Sequence, residues 1–188
     1  MYTAKNYEHL LGTPGFSDTL LKNHFGLYEG YVKNVNLLSE RLRDGITGPE
    51  AAELRRRFGW EWNGMRLHEY YFENLTKNPP STDKAGEIVQ TIQNTFGSLT
   101  AWEKDFRGTG TMRGIGWTML VHDRSSKKLF NIWVTEHDMG HLAGAEILLV
   151  LDVFEHAYVL DYGMKRADYI DAFMRAIDWS HVGKRFIQ

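Results

Sequence analysis

Leu151-Asp152-Val153-Phe154-Glu155-His156-Ala157-Tyr158 follows directly on the apolar run Ile147-Leu148-Leu149-Val150. The run has the composition of a buried strand. It delivers a carboxylate, Asp152, and an imidazole, His156, to one strand end, four residues apart. Such a pair has two readings, a structural hydrogen bond or the start of a metal site, and taken alone the structural reading leads. Two further histidines reverse that order. His24 stands in Asn23-His24-Phe25-Gly26-Leu27-Tyr28-Glu29-Gly30-Tyr31, and His68 in Asn63-Gly64-Met65-Arg66-Leu67-His68-Glu69-Tyr70-Tyr71.

Moving outward, Ser17 is a suitable N-cap. After it Leu20, Leu21, His24, Tyr28, Tyr31, Val32 and Val35 recur at the three-and-four spacing of an amphipathic helix, which Gly45 ends. The fixed φ of Pro49 suits the first turn of a short helix, and a longer one carries Leu67 through Leu75 before Pro79-Pro80 breaks the chain. Helical stretches are expected over 82–96 and 99–107. The period then changes, and residues 117–121, 129–134 and 147–151 read as strands, with a hairpin turn between Asp123 and Lys128. Helical spacing returns at Ile170, Phe173, Met174 and Ile177. The prolines place a boundary near 79–83, which divides the chain into halves 1–81 and 82–188. His24 and His68 lie in the first half, Asp152 and His156 in the second, so one site using all four would sit between the halves, a common location for ligand sites.

The chain has 188 residues, enough for one medium domain or two small ones with a real core. A formal net charge of −2 gives no overall basic surface, so a nucleic-acid partner is not expected. Cysteine is absent, which excludes disulfides, thiolate metal sites and thiol catalysis and suits a reducing compartment. Any metal must therefore sit on nitrogen and oxygen ligands. Three imidazoles and one carboxylate suit iron, manganese or zinc rather than calcium or copper(I). No targeting segment or membrane-spanning run stands out, so a cytoplasmic protein without a membrane partner is expected.

Beyond the contexts of His24, His68 and Asp152/His156, the chain carries Phe96-Gly97-Ser98-Leu99, Gly114-Ile115-Gly116-Trp117, Asp161-Tyr162 and Ala167-Asp168-Tyr169-Ile170-Asp171-Ala172-Phe173, in that order. From about residue 16 to its end it resembles the iron/manganese superoxide dismutases. The resemblance implies an α+β fold, with an N-terminal helical hairpin domain (1–81) followed by a mixed domain (82–188) holding a three-stranded antiparallel sheet and surrounding helices. It implies one iron or manganese ion per subunit on His24, His68, Asp152 and His156, with water or hydroxide as fifth ligand. It also implies superoxide as substrate, dioxygen and hydrogen peroxide as products, and a homodimer that either stands alone or pairs into a tetramer. The alternative is a redox-inactive metal-binding or structural relative with the same fold; a metal-dependent hydrolase on the same ligands is a third, poorer reading.

Around those ligands the resemblance is uneven. Tyr31 matches the family's pocket tyrosine, expected to gate the anion and relay a proton, with a plain core tyrosine as the other reading. Many members donate to the coordinated solvent from a glutamine at one of two locations, and here Gly64 and His137 occupy them. An imidazole N–H can make that bond, so His137 is the expected donor and His141 its competitor. His137 in place of glutamine slightly favours iron, or use of either metal. His24 and Tyr31 are seven apart, one fewer than usual in the family, which suits a plain α-helix without a one-residue bulge. A histidine–tyrosine pair common at the family's entrance is missing, with Leu27-Tyr28-Glu29 and Val159 in its two places. Phe154 replaces a tryptophan, Trp117 retains the aromatic wall on the sheet side, and Glu155 is expected to reach His156 of the other subunit. His9, His122 and His181 match no site position and are expected in loops or at the surface.

Overall fold

The Ser17 hydroxyl accepts the Leu20 N–H and starts α1 (Asp18–Arg43) in the computed structural model, which describes residues 1–187. The cap satisfies a donor that the first turn leaves free. The helix buries Leu20, Leu21, His24, Tyr28, Tyr31, Val32 and Val35, the face given by their spacing. It ends at Asp44, followed by Gly45 at φ +79°.

Residues 49–75 do not form two helices as expected. They form one, α2 (Gly48–Glu73), with Pro49 in its first turn. Gly59 does not break it, because open space surrounds the position and the glycine costs only helix propensity, about 1 kcal/mol. Packing against α1 along the hairpin outweighs that cost. The expected helix over 82–96 is interrupted instead: a 3-10 turn at Thr82–Ala85 leads to Gly86 at φ +66°, and α3 (Glu87–Phe96) begins after it. Ser98, whose hydroxyl accepts the Ala101 N–H, caps α4 (Leu99–Gly110).

The three strands are β1 (Gly116–Asp123), β2 (Lys128–Thr135) and β3 (Glu146–Asp152), antiparallel in the order β2-β1-β3. Being central, β1 is buried almost throughout, and this corrects the reading of His122: it lies within the strand, buried, not in a loop. The register sets Trp117 opposite Asp152 and His122 opposite Glu146. Three helices follow, α5 (Val159–Tyr162), α6 (Arg166–Arg175) and α7 (Trp179–Ile187).

The end of the hairpin is tied to the sheet and its covering helices. Asn74 donates from Nδ2 to the Val150 carbonyl at 2.8 Å, Leu75 pairs with Ile177, and the Arg185 guanidinium bonds Glu73 and the Leu148 carbonyl. These bonds fix α2 against β3. No described helix is long and apolar enough to cross a membrane.

Candidate metal centre

His24 comes from α1, His68 from α2, Asp152 from the last position of β3, and His156 from the 3-10 turn Glu155–Ala157 just beyond it. One potential ligand atom from each lies within 4.8 Å of the others. Asp152 Oδ2 is 3.2 Å from His24 Nε2, 3.0 Å from His156 Nε2 and 3.7 Å from His68 Nε2. Its other oxygen accepts the Phe154 N–H at 2.9 Å, and the Tyr169 hydroxyl holds the Asp152 carbonyl at 2.8 Å. The carboxylate is thus clamped at its backbone and at one oxygen, with the second oxygen turned to three imidazoles.

His68 gives the test of whether this donor set fits a metal. Its Nδ1 lies 2.6 Å from the Gly64 carbonyl one turn back; an acceptor there puts the ring hydrogen on Nδ1 and leaves a lone pair on Nε2. That Nε2 is buried and has no hydrogen-bond partner among the described residues. A buried lone pair aimed at two other imidazoles and a carboxylate fits a cation, and the nitrogen-and-oxygen set fits iron or manganese. Electrostatics agree. Burial lowers the pKa of His24, with Asp152 partly opposing it; burial and the neighbouring His24 take His68 well below its usual value. Burial alone would raise that of Asp152, but His156 and His24 hold it far below the carboxylate range. Neutral imidazoles beside an ionised carboxylate are the protonation states that bind metal.

Around the four, the Tyr31 ring lies 5.1 Å from the His68 ring. Gly64 fits against it closely, since a Cβ there would meet Tyr31 Cδ1 at 2.6 Å. His137, fully buried, has its Nε2 2.8 Å from Tyr31 Oη, and Trp117 Nε1–H donates to its Nδ1 at 3.0 Å. Burial lowers its pKa to about 4. Phe154 lies against His137 at 4.9 Å and stacks on His156 at 5.3 Å. The His141 imidazole does not reach these rings; its Nε2 lies 2.9 Å from the His137 carbonyl. Glu155 is exposed.

Two residues near the centre escaped the sequence reading. The Trp60 ring meets His137 at 4.4 Å, and it precedes Gly64 and His68 by successive steps of four, the spacing of one helix face, which was the available signal. Tyr169, which holds the Asp152 carbonyl, had none, because that contact depends on how α6 crosses the sheet.

Fold and site together define a class, an α+β protein with a nitrogen-and-oxygen centre, suited to one metal ion, between a helical hairpin and a sheet-containing half. A family model for the C-terminal domain of iron/manganese superoxide dismutases matches residues 84–185. The chain is 34% identical to "Superoxide dismutase [Mn] 2" of Haloferax volcanii, over 97% of the chain and 92% of that protein. It is 36% identical to "Superoxide dismutase [Fe]" of Cupriavidus metallidurans, over 92% and 89%. A third relative, "Superoxide dismutase [Fe]" of Saccharolobus solfataricus, is 32% identical over 92% and 86%. The chain belongs to the iron/manganese superoxide dismutase family.

Proposed function

We propose that the chain dismutates superoxide, converting two superoxide anions and two protons into dioxygen and hydrogen peroxide. It would do so with one iron or manganese ion held by His24, His68, Asp152 and His156. The observation that carries this is the convergence of those four side chains, with His68 Nε2 buried and unpartnered, in a member of this family. A bound iron or manganese ion would supply the one-electron redox couple that this conversion needs. Asp152 contributes the single negative charge of the set and so favours the higher oxidation state, while three neutral imidazoles keep the lower one within reach. Gly64 fixes the tautomer of His68. Trp117 and Phe154 wall the pocket with apolar surface, and Tyr31 brings a hydroxyl to it. Relatives named for each metal support either ion, and His137 in place of glutamine tips the choice toward iron or use of both.

The halves 1–81 and 82–188 act in this reading as two domains gripping the ion between them, in a cysteine-free protein suited to a reducing cytoplasm. Two chains pair about a two-fold axis. The Glu155 side chain is exposed and makes no hydrogen bond or ion pair among the described residues, and His156 uses only Nε2 toward Asp152. A carboxylate from the partner subunit would orient that ring through Nδ1, and the same contact recurs symmetrically. Exposed Val159 and Leu160 lie just beyond. Glu155→Ala should weaken association and reduce metal retention about tenfold, read by sedimentation and metal analysis; a variant unchanged in both would remove Glu155 from the interface.

The function is tested by loading metal-free protein separately with iron and manganese and measuring metal content and superoxide consumption. One ion per chain with superoxide consumption is the expected result. Full loading without activity would leave a redox-inactive relative.

A further inference from the structure

We propose that the cavity between α3, the β1–β2 hairpin and α7 binds a small organic phosphate carrying a flat ring, with Arg124, Lys127 and Lys128 on the phosphate and His122 and Phe186 against the ring. The proposal stands apart from the dismutase reading. The cavity lies at the end of β1 away from Trp117, and none of its side chains belongs to the cluster around Asp152.

Charge and shape carry it. The cavity measures about 860 Å3, within the range of small-molecule pockets. Its walls bring three permanent cations, Arg124, Lys127 and Lys128, against one carboxylate, Glu87. The side chains of Lys127 and Lys128 make no ion pair or hydrogen bond among the described residues. Arg124 meets Glu146 through Nε at 2.5 Å, and its terminal nitrogens are unbonded among those residues. On α3, the Asn94 side-chain oxygen accepts from Gln90 at 2.9 Å, which leaves both amide hydrogens to donate. This excess of unpaired donors, in a protein of net charge −2, selects an anion, and a guanidinium with two ammonium groups is a set that holds phosphate. Deeper in, the His122 and Phe186 rings meet at 4.9 Å, and His122, only 8% exposed, makes no hydrogen bond among the described residues. Two rings beside a cluster of cations suit a ligand that is flat at one end and anionic at the other.

The hairpin shows that a cation is kept where the backbone disfavours it. Lys127 sits at φ +55°, the left-handed region in which glycine or asparagine is the favoured choice. Asp123 pins the turn that imposes this. Its carboxylate accepts the Ser125 N–H at 3.0 Å and the Ser125 and Ser126 hydroxyls at 2.7 and 2.6 Å. No protein partner holds the Lys127 side chain there, and residues strained in this way collect where a ligand is gripped.

Isothermal titration of the whole chain, as purified, with adenosine 5′-monophosphate, ribose 5-phosphate, inorganic phosphate and adenosine tests the site. One molecule of the nucleoside monophosphate should bind per chain, with ribose 5-phosphate at least about fivefold weaker for want of a stacked ring, and phosphate and adenosine weaker again. Lys127→Asn should weaken the monophosphate about tenfold, the loss of one charge-assisted contact, while the unfolding midpoint stays level or rises because asparagine accepts the left-handed turn. Phe186→Leu should bring the monophosphate down to the affinity of ribose 5-phosphate and leave ribose 5-phosphate itself unchanged. The proposal is overturned if the monophosphate shows no saturable binding at millimolar concentration, or if inorganic phosphate binds equally well. Unchanged affinity in Lys127→Asn, or a fall in its unfolding midpoint, would mean that the lysine serves the fold alone and would overturn its role. A single-stranded oligonucleotide that binds more tightly in proportion to its length would assign the cations to a polymer and overturn the small-ligand assignment.

Discussion

β3 carries a carboxylate at each end, Glu146 and Asp152, and β1 sets an aromatic ring against each: His122 opposite Glu146, Trp117 opposite Asp152. At the Asp152 end, imidazoles from three separate elements converge on one oxygen. At the Glu146 end there is one imidazole, with His122 Nδ1 at 3.7 Å, and Arg124 takes the other carboxylate oxygen at 2.5 Å. Both ends hold a buried histidine near an acid, yet they differ in kind. A guanidinium is a permanent cation and gives Glu146 a charged partner of its own. At the Asp152 end His24 and His156 hold the carboxylate ionised, and the buried Nε2 of His68 is left with no hydrogen-bond partner among the described residues, a lone pair that fits a cation. A buried acid–histidine pair is therefore not a site; the number of converging lone pairs makes one.

The largest effect should come from breaking the Asp152 end. Asp152→Ala removes the one carboxylate of the proposed ligand set and should lower iron or manganese content to under about a tenth of wild type, since loss of even an outer-shell partner costs about 10–100-fold in affinity. Superoxide consumption should fall with it. Full metal occupancy in that variant, measured by elemental analysis, would end the ligand assignment.

The contrast also explains what could be read from sequence. His24, His68, Asp152 and His156 were legible because each stands in a distinctive local context, and the strands because β-branched runs are bounded by turns. α2 was not, since Gly59 and the charged stretch Arg55-Arg56-Arg57 interrupt the apolar pattern while packing of the hairpin overrides them. His122 was misplaced because alternation does not mark the central strand of a covered sheet, where both faces are buried. The partners of His137 were not visible either. They depend on a turn containing a left-handed Glu136 and on the register of β1, neither of which local composition encodes.

A third carboxylate sharpens the comparison through pH. Glu73, at the end of α2, pairs with two permanent cations, Lys5 and Arg185, where Glu146 has one, Arg124. Burial alone would raise its pKa, yet bonds from His181, Lys5 and Arg185 hold it well below the ordinary 4.5. A carboxylate depressed in the folded state stabilises the protein above its unfolded pKa, and that stability is lost as pH falls below about 4.5 toward the folded value. Glu73→Gln should cost about 1–3 kcal/mol at pH 7, the range for hydrogen bonds to a charged group. The gap from wild type should shrink as pH drops from 4.5 toward 3. Urea unfolding of the metal-free protein at several pH values measures this, and a gap independent of pH would mean that the Glu73 charge is not what ties α2 to α7.

The smallest effect should come from Glu146→Gln, the counterpart of the Asp152 change at the other end of the strand. Arg124 is half exposed, so its ion pair with Glu146 is screened and worth at most about 1 kcal/mol. Glutamine keeps an acceptor for Arg124. It also gains an amide N–H that can reach toward His122 Nδ1, which is buried and has no hydrogen-bond partner among the described residues. Loss and gain oppose each other, so stability should stay within about 1 kcal/mol of wild type. Metal content should not change at all, because no atom of Glu146 or His122 belongs to the cluster around Asp152. A fall in metal retention comparable to that of Asp152→Ala would show that β3 transmits the state of one end to the other, and the separation drawn between the two carboxylates would fail.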